Sequence, residues 1–223
     1  MIEYDENEKR MVLKLVYYGP ALSGKTTNLL QLHECLIRQG RGELMLLDTT
    51  GDRTIYFDLL PFFLTAPSGL RIKVKVYTVP GQVCHDATRK AVLQRSDGVA
   101  FIADSKLSEL ESNFASFDNL ERNLAQTGLD IETIPLVIQF NKRDLPDCLP
   151  ESDIIRTWQP TGIPVLMASA IEGAGVIETF TALVGLVFDR IDQRFRLAGE
   201  HGLSKEEFVA KLTTVQDELE EPR

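Results

Sequence analysis

Apolar residues along the chain alternate between strand-like runs and helical stripes. Residues 11–18 form an apolar run that predicts a strand. A glycine-rich turn follows, and over residues 26–38 Leu29, Leu30, Leu32, Leu36 and Ile37 recur at helical spacing. Residues 43–48 (ELMLLD) read as a further strand. In residues 70–79, Leu70, Ile72, Val74 and Val76 alternate with Arg71, Lys73 and Lys75, as in a strand with one solvated face. Residues 98–103, 136–140 and 163–168 are short apolar runs with polar borders, the pattern of strands covered on both faces of a parallel sheet. Leu107, Leu110, Phe114, Phe117, Leu120 and Leu124 predict one long amphipathic helix, and Val176, Phe180, Leu183, Val187 and Ile191 predict another. This order implies a doubly wound α/β fold, a mostly parallel sheet with helices on both faces, over residues 10–197.

Residues 198–223 form an appended tail. Ser204-Lys205-Glu206-Glu207 has the form of a capping box, and Phe208, Leu212, Val215 and Leu219 follow at three- and four-residue spacing, predicting a short amphipathic helix. Its apolar stripe either docks on its own domain or meets an effector or a second subunit.

Composition narrows the function classes. With 43% hydrophobic and 26% charged residues in 223, the chain can bury a core, which excludes disordered and collagen-like classes. Its 24 basic residues against 33 acidic ones give a net charge of −9, so neither nucleic acid nor an anionic bilayer is an expected partner. Cys35, Cys84 and Cys148 are odd in number and scattered, which disfavours a disulfide framework or a paired-cysteine metal site. The acidic start and the lack of a long uncharged stretch lead to the expectation of a cytoplasmic protein without a direct membrane anchor. His33, His85 and His201 have no spacing that makes a metal site or a triad.

The chemistry lies in the loops. Gly19-Pro20-Ala21-Leu22-Ser23-Gly24-Lys25-Thr26 places a phosphate-binding loop between an apolar strand and a helix. Its backbone N–H groups, including those of Ala21, Leu22, Ser23 and Thr27, can cradle phosphate oxygens. Lys25 can reach the β- and γ-phosphates and the Thr26 hydroxyl a Mg²⁺. Asn141-Lys142-Arg143-Asp144 follows the apolar strand at 136–140. There a carboxylate can accept the N1–H and amino protons that guanine has and adenine lacks, which favours GTP/GDP. Ser169, Ala170 and Ile171 are placed to support the base from the other side.

With these motifs the chain resembles the Ras-like small GTPases, and among them the bacterial gliding and polarity GTPases of the MglA type. The resemblance is carried by Gly19 to Asn28, by Asp52 to Pro61, by Tyr77 to Gln82 and by Phe140 to Asp144. It implies a GTP-dependent switch, recruited to a cell pole, that binds polarity or motility effectors. It also implies a roadblock-fold, MglB-type homodimer that speeds hydrolysis. On the same basis Thr54 is a second Mg²⁺ ligand, Arg53 an intrinsic cation for the transferring phosphoryl group, and Gln82 the residue that orients the attacking water, with the Gly81 N–H beside the γ-phosphate. Asp58 and Pro61 are expected to shape a loop. Ras-like proteins usually carry aspartate where this chain has Thr78, which weakens the expected metal affinity. Ala21 stands where many carry glycine, so slow intrinsic turnover is expected. A nucleotide-gated scaffold with negligible hydrolysis is the alternative.

Overall fold

A computed structural model describes residues 2–36, 42–47, 57–81 and 86–214. The strands are β1 (Glu3–Asp5), β2 (Arg10–Tyr18), β3 (Met45–Leu47), β4 (Phe57–Thr65), β5 (Arg71–Thr78), β6 (Gly98–Asp104), β7 (Leu136–Asn141) and β8 (Val165–Met167). The helices are α1 (Lys25–Cys35), α2 (Asp86–Leu93), α3 (Leu110–Gln126), α4 (Glu151–Trp158), α5 (Val176–Phe195), α6 (Leu197–His201) and α7 (Lys205–Thr213). Among the described residues the strands form one sheet in the order β3-β4-β5-β2-β6-β7-β8, and β1 pairs with the start of β2. Strands β5, β2, β6, β7 and β8 run parallel, while β1, β3 and β4 pair antiparallel. The sheet is therefore mostly parallel, of α/β class, as the alternation of patterns implies.

Each face of the sheet carries its own core, one of them leaving the alternate residues of β5 partly exposed. Leu13, Leu15, Ile72, Val74 and Val76 point to the side where α1, α5, α6 and α7 supply Leu29, Leu32, Leu183, Val187, Leu197 and Phe208. Val16, Tyr18, Val99, Phe101 and Ile138 point to the other, where α2, α3 and α4 supply Leu93, Leu120, Leu124 and Ile154. This two-sided burial is why β6 reads as an apolar run up to Ala103 and β7 as one interrupted only by Gln139 as far as Phe140. No described helix is long and apolar enough to cross a membrane.

The structure departs from the sequence expectation in three places. Pro61, expected in a loop, lies inside β4 opposite Lys75. The Pro61 carbonyl accepts from Gly42 N at 2.6 Å on the strand's outer edge. In a strand the N–H and C=O of one residue point the same way, so the donor that proline lacks faces away from β5 and the ladder is intact. The expected single helix at 107–124 begins as a 3₁₀ turn at Leu107–Glu109 before α3. On α3, Phe114 is 66% exposed whereas Asn113, Ser116, Asn119 and Asn123 are buried, because that face of the helix meets polar groups on β6, β2 and α2. Strands β1 and β4 and helices α2, α4 and α6 were not legible as elements.

The tail turns back onto the domain. Ser204 Oγ accepts from Glu207 N at 3.1 Å, capping α7 as the sequence predicts. Phe208 is fully buried with its ring centroid 5.3 Å from that of Phe188, and Leu212 is buried beside it. The described part of the stripe thus packs on α5 and β4; Val215 and Leu219 lie outside the described residues. Phe208→Ala is expected to cost about 3–5 kcal/mol through lost burial and a residual cavity. Phe114→Ala on exposed α3 is expected to stay within about 0.5 kcal/mol. Midpoints of urea unfolding at unchanged slope distinguish the two.

Candidate functional site

Parallel strands end at one edge of the sheet, so the loops after β2, β5, β6, β7 and β8 converge there. The loop after β2 carries residues 19–24, and α1 opens directly on Lys25. Gly24 has φ +95°, a left-handed backbone that favours glycine, and a Cβ there would collide with the Asn141 amide. The first turn of α1 contains no acidic residue, so its N–H groups keep their attraction for an anion. Lys25 is buried and its Nζ donates to the carbonyls of Gly19 at 3.2 Å and Pro20 at 2.6 Å. Two of its acceptors are thus neutral loop carbonyls, which phosphate oxygens can outcompete through charge-assisted bonds.

A cavity of about 320 Å³ adjoins this loop, lined by Leu22, Lys25, Thr26, Thr27, Thr78 and Gly81 among others. Gly81 packs so closely that a Cβ on it would collide with the Ala21 backbone, so the segment after β5 can approach the phosphate loop only as glycine. Ser23 is buried, whereas Ala21 and Leu22 are exposed, Leu22 by 88%. Arg53, Thr54 and Gln82 lie outside the described residues.

The remaining motifs meet on the other side of the loop. Asn141 Nδ2 donates to Ser23 O at 2.8 Å, and Asn141 Oδ1 accepts from Ala170 N at 2.8 Å. One buried amide thereby joins the phosphate loop, the end of β7 and the turn after β8. Ser169 Oγ donates to Asp144 Oδ1 at 2.7 Å and fixes one oxygen of that carboxylate, leaving the other for a donor pair. Ile171 is 72% exposed beside them, an apolar side chain able to flank a ring. All described candidates from the sequence thus gather at one edge.

The sequence reading missed the support for Lys142. Lys142 has φ 68° and forms an ion pair with buried Asp104 at the end of β6. Asp104 is itself anchored through its backbone: Asn113 Nδ2 donates to Asp104 O at 2.8 Å and Asp104 N to Asn113 Oδ1 at 3.0 Å. The available signal was a carboxylate closing an otherwise apolar strand.

A second polar cluster anchors α2. Arg89 is fully buried, lies 4.3 Å from the Tyr18 ring centroid and donates to Ser116 Oγ at 3.0 Å. The Tyr18 hydroxyl donates to Asn119, and Asn119 and Asn123 both donate to Asp86 Oδ1. Burial pushes the Tyr18 hydroxyl up to about 12. A hydrogen bond from Lys90 is the main cause holding the Asp86 carboxyl well below its ordinary range. These contacts position the helix that follows the Gly81 segment. A larger groove of about 810 Å³, lined by Phe117, Trp158, Ile163 and Leu186, lies at the opposite edge and holds none of the motif residues.

No protein-family model matches the chain. Over 178 residues it is 43% identical to the mutual gliding-motility protein MglA of Myxococcus xanthus (strain DK1622), a stretch covering 80% of this chain and 91% of that protein.

Asp104→Ala leaves the partly buried Lys142 ammonium without its carboxylate. The variant is expected to lose about 1–3 kcal/mol of stability and to bind GDP more weakly, measured by urea unfolding and by calorimetric titration. Unchanged values for both would remove Asp104 from the site.

Proposed function

Because the chain belongs to the MglA family of Ras-like small GTPases, we propose that it is a guanine-nucleotide switch that hydrolyses GTP to GDP and serves bacterial cell polarity or gliding motility. The observation that carries this reading is the Asn141 amide, which ties the phosphate loop to the segments bearing Asp144 and Ser169. A phosphate cradle and a carboxylate suited to guanine are thereby held in one frame.

In this reading the domain of residues 10–197 does the nucleotide chemistry and residues 198–223 are its extension. Residues Gly19, Ala21, Leu22, Ser23, Gly24, Lys25, Thr26 and Thr27 hold the phosphates, with Gly81 beside the γ-phosphate. Asn141, Lys142, Asp144, Ser169, Ala170 and Ile171 hold the base and its surroundings. Lys25 leaves the carbonyls of Gly19 and Pro20 for phosphate oxygens when nucleotide arrives. Thr26 and Thr78 line the same cavity with hydroxyl oxygens, hard donors that fit Mg²⁺, an ion that takes few protein ligands beside substrate phosphates. Thr26 and Thr54 would hold the ion, which when bound would supply charge neutralisation for the nucleotide phosphates.

Arg53 stabilises charge on the transferring group and Gln82 orients water. A roadblock-fold, MglB-type homodimer accelerates the step by ordering the two segments that carry them. Polarity or motility effectors read the GTP state.

Single-turnover GTP hydrolysis, with and without a roadblock-type partner, tests the proposal. The expected result is slow intrinsic turnover and strong stimulation. Arg53→Ala and Gln82→Ala should each bind GTP nearly normally yet lose on the order of a hundredfold or more of the stimulated rate. An Arg53→Ala variant that is still fully stimulated would assign the cation to the partner. No turnover above buffer with the cognate partner, together with GTP-dependent effector binding, would favour a nucleotide-gated scaffold.

A further inference from the structure

Among the described residues no helix covers β4 and the first part of β5 on one sheet face. The helices α1, α5 and α7 pack against β4 and β5 from the opposite side, with Leu60, Phe62, Leu64, Ile72, Val74 and Val76. On the open side, register sets like charges side by side: Arg10 is opposite Arg71, and Lys14 is opposite Lys75, with Lys73 between them opposite Val12. Thr65, Phe63 and Pro61 continue the three rows onto β4. Among the described residues, Lys14, Arg71, Lys73 and Lys75 enter no ion pair, and Arg10 has only exposed Glu8 at 3.8 Å. Phe63 is 46% exposed, with Lys73 Nζ 5.0 Å from its ring centroid. The other charged groups at this face are Glu3 and Asp5 on β1, Asp5 opposite Arg10, and Asp97, which precedes β6 and whose Oδ2 accepts from Lys14 N at 2.9 Å.

Adjacent like charges on a sheet destabilise it unless something neutralises them. The β1 carboxylates and Asp97 lie on the β2 side, so Arg71, Lys73 and Lys75 on β5 are the cations without an ion pair, and in a chain of net charge −9 such a row selects a carboxylate-bearing occupant. We propose that this face is the docking site of the chain's own acidic segment, residues 215–223, bound in cis. That segment carries Asp217, Glu218, Glu220 and Glu221 against a single Arg223, with Leu219 among the acids as an apolar match for Phe63.

Position and length favour this occupant. Thr214 is the last described residue, and one turn earlier Lys211 Nζ donates to Thr65 O at 3.2 Å. Thr65 is the cross-strand partner of Arg71, the first cation of β5. Residues 217–221 follow Thr214 by about 10–23 Å of extended chain, and the row from Arg71 to Lys75 spans about 13 Å. β3 pairs with β4 only as far as Leu59, so no described strand blocks a path around the outer edge of β4 beyond Gly42. Tethering raises the local concentration of the acidic segment to about millimolar, enough for a modest set of screened ion pairs to hold it. Any acidic partner of this face must then displace the tail first.

Zero-length carbodiimide cross-linking of the full chain, read by mass spectrometry, tests the contact. Intramolecular links should join residues 217–221 to Lys73 or Lys75 in the monomer and fall severalfold at about 0.5 M NaCl, where screening is nearly complete within the ion-pair distance. Changing Asp217→Asn, Glu218→Gln, Glu220→Gln and Glu221→Gln together should raise acetylation of Lys73 and Lys75 about threefold without altering Lys90 or Lys106. Links found only in a covalent dimer would give the face to a second copy. Links spread evenly over surface lysines, or lysine reactivity unchanged by the four amides, would overturn the proposal.

Discussion

The amide of Asn141 is the tie on which the site depends. It spends its donor on Ser23 O and its acceptor on Ala170 N, both at 2.8 Å, and it is buried. Each bond contributes about 1 kcal/mol net, but a broken one leaves a buried polar group unmet at about 1–3 kcal/mol. The two loops therefore keep one relative position, and Gly24, where any side chain would strike that amide, preserves the close approach. Every other contact at the edge, from Lys25 on its loop carbonyls to Ser169 on Asp144, works inside the frame that this amide fixes.

The frame also explains an unusual helix. α3 buries four polar side chains on the face where an amphipathic helix would carry leucines. Asn113 holds the backbone of Asp104, which holds Lys142, while Ser116, Asn119 and Asn123 hold Arg89, Tyr18 and Asp86 beneath α2. One helix thus buttresses both the base side of the site and the helix that follows the Gly81 segment. In this network Ser116 and the Tyr18 ring are the described contacts of the Arg89 guanidinium, whose Nε and Nη1 are buried without a hydrogen bond among the described residues.

Much of this was legible from sequence because the relevant signals are local. The phosphate loop, the Asn141 to Asp144 motif and the buried strands depend on short spacing and on apolar runs, and the structure brings the described members together. Pro61 was misread because a proline argues against a strand unless the missing donor faces outward, and that direction depends on a neighbouring edge 19 residues earlier, at Gly42. The polar face of α3 was misread because its partners come from β2, β6 and α2, so helical spacing pointed to Phe114 instead. Asp104 looked like the end of a strand, and only the left-handed turn at Lys142 brings the two charges together.

The central claim is that Asp144, oriented by Ser169 inside the Asn141 frame, makes this a guanine site. Calorimetric titration of GDP and xanthosine diphosphate into the chain and into Asp144→Asn tests it most directly. The account predicts that the chain prefers GDP and that the variant reverses the preference, because an amide offers a donor where the carboxylate accepts. Equal GDP affinity in the two proteins would contradict it.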